Sequence, residues 1–121
     1  MAAILIVDDE FGLAEMAADL LSYLGHSVTT AINGRIALDS IQQARPDLIL
    51  LDVMMPIVSG IEVLVALKAD ERYRDIPVIL MSAAGAEVVP EELRPLTAGF
   101  LQKPFTYDEL KAALRAGLPE T

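Results

Sequence analysis

The sequence predicts an α/β domain: a doubly wound, five-stranded parallel sheet with a short or irregular fourth helix. Three observations carry this expectation. Apolar runs of four or five residues, Ala3–Val7, Leu48–Leu51 and Val78–Met81, are bounded by polar residues. That is the pattern of strands buried on both faces of a parallel sheet. Stretches with apolar residues at helical spacing lie between the runs. Strand-like and helix-like segments alternate five times along 121 residues, which predicts helices laid on both faces of one sheet.

Each element has its own justification. Strand one is Ala3–Val7. Helix one is expected over Glu10–Leu24, with Leu13, Ala17, Leu20 and Leu24 as its apolar stripe and Gly25 as its C-cap. Ser27–Ala31 alternates polar and apolar residues, which predicts an edge strand. Helix two is expected over Gly34–Ala44, with Ile36, Ala37, Ile41 and Ala44 facing inward, and Pro46 closes that connection. Strand three is Leu48–Leu51. Pro56 and Gly60 punctuate the loop after Asp52. Helix three, over Ile61–Ala69, is expected to bury Ile61, Leu64 and either Leu67 or Val65. Asp70–Asp75 reads as loop and Pro77–Met81 as strand four. A helix is expected within Ala83–Ala98, but Pro90 and Pro95 both fall there. Pro90 fits a first helical position; Pro95 removes a backbone hydrogen bond and clashes with the preceding turn. The sequence therefore predicts a short or broken helix. Gly99–Gln102 is strand five. Thr106 with Glu109 three residues later forms a capping box for the last helix, which buries Leu110, Leu114 and Leu118.

Length and composition narrow the function. Residues 1–121 are expected to form one domain, and a domain of this size buries roughly two-thirds of its unfolded surface, so it needs no staples. There is no cysteine, which excludes disulfides and thiolate metal sites. The formal net charge of −9 disfavours nucleic acid or an anionic membrane as a direct partner. No run of apolar residues is long enough to cross a bilayer, and the N-terminus lacks a basic region, so a cytoplasmic protein is expected. Neither a Gly-x-x-x-x-Gly-Lys-Ser/Thr nor a Gly-x-Gly-x-x-Gly pattern occurs, so nucleotide binding has no support.

The chemistry sits at the ends of the apolar runs. Strand one stops on Asp8-Asp9, strand three on Asp52, strand four on Ser82, and strand five runs through Gln102 to Lys103-Pro104. Ligands of open parallel sheets bind beyond the carboxyl ends of the strands. Three acids, a hydroxyl and a lysine are thus expected at one edge of one sheet, a site for a cation and a phosphoryl group.

These residues also carry a family resemblance. Val7-Asp8-Asp9-Glu10, Leu51-Asp52-Val53-Met54-Met55-Pro56 with Gly60, Met81-Ser82-Ala83 and Lys103-Pro104-Phe105 occur in this order and cover essentially the whole chain. In this the chain resembles the receiver domain of two-component response regulators, of the stand-alone chemotaxis-regulator type. The resemblance implies a flavodoxin-like (βα)5 fold. It makes Asp52 the phosphoacceptor. It makes Asp9, Asp52 and the Met54 carbonyl ligands of a divalent cation, which Asp8 reaches through water. Ser82 is to bind a phosphoryl oxygen, Lys103 is to pair with the phosphoryl group through a cis Lys103-Pro104 peptide, and Phe100 is to occupy the position of a rotamer-switching aromatic. The cation is expected to be Mg2+, with Mn2+ as a substitute, because a hard ion that keeps several waters suits carboxylate and carbonyl ligands.

Plainer readings exist for each residue. Asp8-Asp9 could cap the first helix, Asp52 could form a turn, Ser82 could be a loop hydroxyl or cap, and Lys103 could be a solvated surface lysine. Phe100 could simply pack in the core. His26 reads as a turn residue. The resemblance favours a single-domain response regulator that takes a phosphoryl group from a histidine kinase or histidine phosphotransfer protein. It would act as a monomer or weak dimer and signal to an output protein by changing shape. It would not be an enzyme on other substrates: an aspartyl-phosphate phosphatase would need an Asp-x-Asp pair, and here the acids are adjacent. The alternative is an interaction module of the same fold that works without phosphorylation. Two apolar residues, Met54 and Ala84, stand where the family's side chains influence the approach of water. They imply a phosphorylated state longer-lived than one flanked by an acid or amide.

Overall fold

The computed structural model describes residues 2–55 and 57–118. Pro56, read above as loop punctuation, lies outside the described residues. Five parallel strands form one sheet: β1 (Ala3–Val7), β2 (Ser27–Ala31), β3 (Leu48–Asp52), β4 (Val78–Ser82) and β5 (Gly99–Gln102), in the order β2-β1-β3-β4-β5. Among the described residues, four α-helices connect or follow them: α1 (Phe11–Tyr23), α2 (Gly34–Gln43), α3 (Gly60–Lys68) and α4 (Tyr107–Gly117). The fold is the flavodoxin-like one expected.

Successive side chains of a strand point to opposite faces, and the sheet carries a core on each. Leu5, Val7, Ile49, Leu51, Val78 and Leu80 meet Ala37 and Ile41 of α2 and Val63, Leu64 and Leu67 of α3. Ile4, Ile6, Leu48, Leu50, Ile79 and Met81 meet Ala14, Ala17 and Leu21 of α1 and Leu110 and Leu114 of α4. Burying one such aliphatic side chain contributes roughly 1.5–3 kcal/mol, which is why near-continuous apolar runs make the central strands. β2, at the edge, buries only Ala31 fully.

The helices differ in detail from the sequence pattern. On α1 the fully buried residues are Ala14, Ala17 and Leu21, while Leu13, Leu20 and Leu24 are half-buried. The stripe is rotated by about one residue because docking orientation, set by the sheet, selects which apolar residues go deepest. Gly25 does follow the helix, at φ 98°, a region that glycine enters without a Cβ clash. On α2, Ala37 and Ile41 are buried, but Ile36 is exposed and Ala44 lies past the helix end, also exposed. On α3, Val63, Leu64 and Leu67 are buried, Ile61 is half-buried and Val65 is exposed. Ser59 and Glu62 form a capping box there, as Thr106 and Glu109 do for α4. Leu118 is half-buried just after α4.

The segment between β4 and β5 has no α-helix. Two 3-10 turns, Ala86–Val88 and Glu91–Leu96, replace it. Pro90 stands just before the second turn rather than at its first position, and Pro95 lies inside it. A 3-10 turn tolerates Pro95 because no long i→i−4 ladder is interrupted. Arg94 binds the segment together: its Nε donates to the Val89 carbonyl at 3.1 Å and a terminal nitrogen to the Ala86 carbonyl at 3.3 Å.

Candidate functional site

The chain leaves β1 for β2 on one side and returns to β3 on the other, so a crevice opens beyond the carboxyl ends of β1 and β3. Register fills it with chemistry. Val7 pairs with Leu51, Asp52 with Met81, and Ser82 with Gln102. Asp8 follows Val7 and Lys103 follows Gln102, so both arrive at the level of Asp52 and Ser82.

The result is a cleft of about 430 Å³ lined by Asp9, Glu10, Asp52, Met54, Ser82, Ala83, Ala84 and Lys103. Carboxylate oxygens of Asp8, Asp9 and Asp52 lie within 4.8 Å of one another. Asp8 is 1% exposed and Asp52 3%, while Asp9 stands at the surface. Lys103 Nζ reaches Asp8 Oδ2 at 2.9 Å, Glu10 Oε1 at 3.1 Å and Asp52 Oδ2 at 3.4 Å. The Lys103-Pro104 peptide is cis. Met54 N–H donates to Asp52 Oδ1 at 3.2 Å, and Glu10 N–H to Asp8 Oδ1 at 2.9 Å. Ser82 is buried, and its Oγ accepts from Ala84 N–H at 3.1 Å.

α3 starts beside this site for a reason visible in one residue. A Cβ on Gly60 would collide with the Asp52 carbonyl oxygen, so only glycine lets the helix begin so close to the strand end. Gly60 N–H donates back to the Val53 carbonyl at 3.0 Å.

Electrostatics make the site costly without a cation. Burial, reinforced by the Asp8 charge, raises the Asp52 carboxyl from its ordinary 3.8 to about 6, against the opposing pull of Lys103 and the Met54 N–H. Burial works against the Lys103 charge, yet its hydrogen bonds to Asp8 and Glu10 and the charges of Asp52 and Asp8 raise it to about 12. Lys103 is therefore a permanent cation. The donor set is all oxygen, which suits a hard divalent ion.

The family model for the response regulator receiver domain matches residues 4–115. The chain belongs to the response regulator receiver family. Among its relatives, the phosphate regulon transcriptional regulatory protein PhoB of Pseudomonas aeruginosa is 43% identical over 121 residues, covering 98% of this chain and 52% of PhoB. The chain spans about half the length of the curated relatives it matches. Among solved structures, the chemotaxis protein CheY4 of Vibrio cholerae superposes with a TM-score of 0.90 at 33% identity, covering 98% of this chain and 99% of that one. The response regulator TrrA of Thermotoga maritima, solved with Mg2+ and beryllofluoride, superposes with a TM-score of 0.86 at 31% identity, covering 98% and 100%.

Within this receiver, the fold brings Asp8, Asp9, Asp52, Met54, Ser82 and Lys103 together. Phe100 lies apart. It is half-buried and lines a second cavity of about 180 Å³ with Leu80, Ala86, Val89, Arg94, Thr97 and Gly99. Glu10 was not among the residues the sequence pointed to. Its signal was its place in the Val7-Asp8-Asp9-Glu10 run at the end of strand one. No helix among the described residues is long and apolar enough to cross a membrane.

Proposed function

We propose that Asp52 accepts a phosphoryl group from a histidine of a kinase or phosphotransfer protein, and that the receiver signals by the resulting change of shape. The observation that carries this reading is the Asp52 carboxylate on the floor of an open cleft, held between Lys103 and the other acids. An Asp52 oxygen forms the bond to phosphorus while the phosphorus–nitrogen bond of phosphohistidine breaks, and the freed imidazole leaves with the donor. Such a transfer is catalysed by positioning and by neutralising charge on the phosphoryl oxygens. Lys103 supplies one fixed positive charge there. Ser82, Ala83 and Ala84 line the cleft as well, and the Ser82 hydroxyl would bind a phosphoryl oxygen there.

Asp9 and Asp52, with the Met54 carbonyl and with Asp8 behind a water, would hold Mg2+, or Mn2+ in its place. When bound, the ion neutralises the repelling carboxylates and the incoming phosphoryl charge. The complex of the Thermotoga maritima relative with Mg2+ and beryllofluoride supports this reading. Ser82 and Phe100 would then shift toward the phosphoryl group, the second cavity giving the Phe100 ring room to move. The receiver would work in the cytoplasm, catalyse only its own phosphorylation and dephosphorylation, and act as a monomer or weak dimer on an output protein.

Acetyl phosphate with Mg2+ tests the centre of this reading. The wild type takes label and Asp52→Asn takes none; full labelling of that variant removes the assignment. Mg2+ raises the thermal unfolding midpoint of the wild type, and an equal rise in Asp9→Ala would sink the ligand assignment.

A further inference from the structure

The Glu10 side chain does something its position does not require. Glu10 is the N-cap residue of α1, yet its carboxylate makes no cap hydrogen bond, although a helix N-terminus attracts negative charge. Its backbone N–H is taken by Asp8 Oδ1. The carboxylate instead crosses the mouth of the cleft and meets Lys103 Nζ at 3.1 Å.

That contact completes the ammonium's partners. A lysine ammonium has three donors, and Lys103 has three carboxylate acceptors, on Asp8, Glu10 and Asp52. A phosphoryl oxygen that takes Lys103 must displace one of them. Asp8 and Asp52 are buried, so water cannot take the place of the ammonium at either carboxylate. The Glu10 side chain is 65% exposed, so water takes the place of the ammonium at once. Glu10 is therefore the acceptor that yields.

We propose that Glu10 is a positioning residue that competes with the phosphoryl group for Lys103, so that the Glu10–Lys103 ion pair restrains phosphorylation. This rests on the reading of Asp52 as phosphoacceptor. A half-exposed ion pair is weak, so the restraint amounts to about three-fold.

Two variants separate the ion pair from the charge at the mouth. Glu10→Gln removes the charge. Glu10→Asp keeps it but is one methylene too short to span to Lys103. In chelator, acetylation of Lys103 by acetic anhydride, followed by peptide mass spectrometry, should be about three-fold faster in both variants, because one acceptor of the ammonium is lost. In saturating Mg2+, both should bind beryllofluoride about three-fold more tightly, read from the unfolding midpoint, and take label from acetyl phosphate correspondingly faster. If Glu10→Asp matches the wild type while Glu10→Gln differs, the mouth charge acts and the proposal is overturned. Unchanged or weaker binding in both variants, beside a competent wild type, overturns it too. A wild type that takes neither beryllofluoride nor label overturns the phosphoacceptor reading, and this proposal with it.

Discussion

Asp52→Asn should make the protein more stable in chelator, and by an amount that depends on pH. The folded state raises the Asp52 carboxyl from 3.8 to about 6, chiefly by burial and then by the Asp8 charge. A group whose pKa is raised on folding favours the folded state most when it is protonated, below its unfolded value, and loses that contribution as pH rises through its folded value. In the wild type the loss sets in above about pH 4 and is nearly complete above about pH 6. At 1.36 kcal/mol per pKa unit, the ionised carboxylate costs the fold about 3 kcal/mol at pH 7 and little at pH 4. Asparagine keeps the shape and an oxygen for the Met54 N–H but cannot ionise. Urea denaturation of both proteins in chelator, from about pH 4 to pH 7.5, should therefore show a gap of about 3 kcal/mol that closes as pH falls. Carboxylates outside the site titrate alike in both proteins and drop out of the difference. Saturating Mg2+ should shrink the gap at pH 7, because it stabilises only the protein with the complete set of acids. A pH-independent gap, or a variant less stable than the wild type, would show that burial of Asp52 carries no such electrostatic penalty.

Three further outcomes follow from single residues. Ile57 holds φ at 70° while its side chain is 79% exposed, so Ile57→Gly relieves a β-branched residue from the left-handed region at no loss of packing. It should raise stability by about 1 kcal/mol in denaturant titration. Gly60→Ala places a Cβ against the Asp52 carbonyl oxygen; it should cost about 3 kcal/mol and slow labelling by acetyl phosphate, since α3 and the strand end must part. Lys103→Met strips Asp8 and Asp52 of their common cation; it should cost about 3 kcal/mol in chelator and regain much of that in Mg2+, measured as the difference between the two unfolding curves. Equal stability of Lys103→Met and wild type in chelator would mean that the buried carboxylates do not depend on the lysine.

Strand ends and chemistry were legible in the chain because both are local. Strand three could be read from Leu48–Leu51 since a strand buried on both faces has no polar residue to interrupt it, and all five residues of β3 are indeed buried. The acids, Ser82 and Lys103 could be placed at one edge without any contact being known, because parallel strands all end on the same side. Capping boxes are local too, and Thr106 with Glu109 stood as read. The two prolines likewise predicted a broken segment, and two 3-10 turns stand there.

What the sequence by itself determined, then, is which residues become strands, which close a helix, and which side chains gather at the carboxyl edge. Only the tertiary structure decided how far each helix is rotated on the sheet. Leu21 rather than Leu20 goes deepest on α1, and Ile36 of α2 faces out, because several apolar residues compete for one docking face and packing against the sheet settles the choice. The structure alone also decided the partners of Lys103. The lysine is 93 residues from Glu10 in the chain, and the direction in which an N-cap glutamate turns is fixed by the nearest opposite charge in space, which no local pattern records.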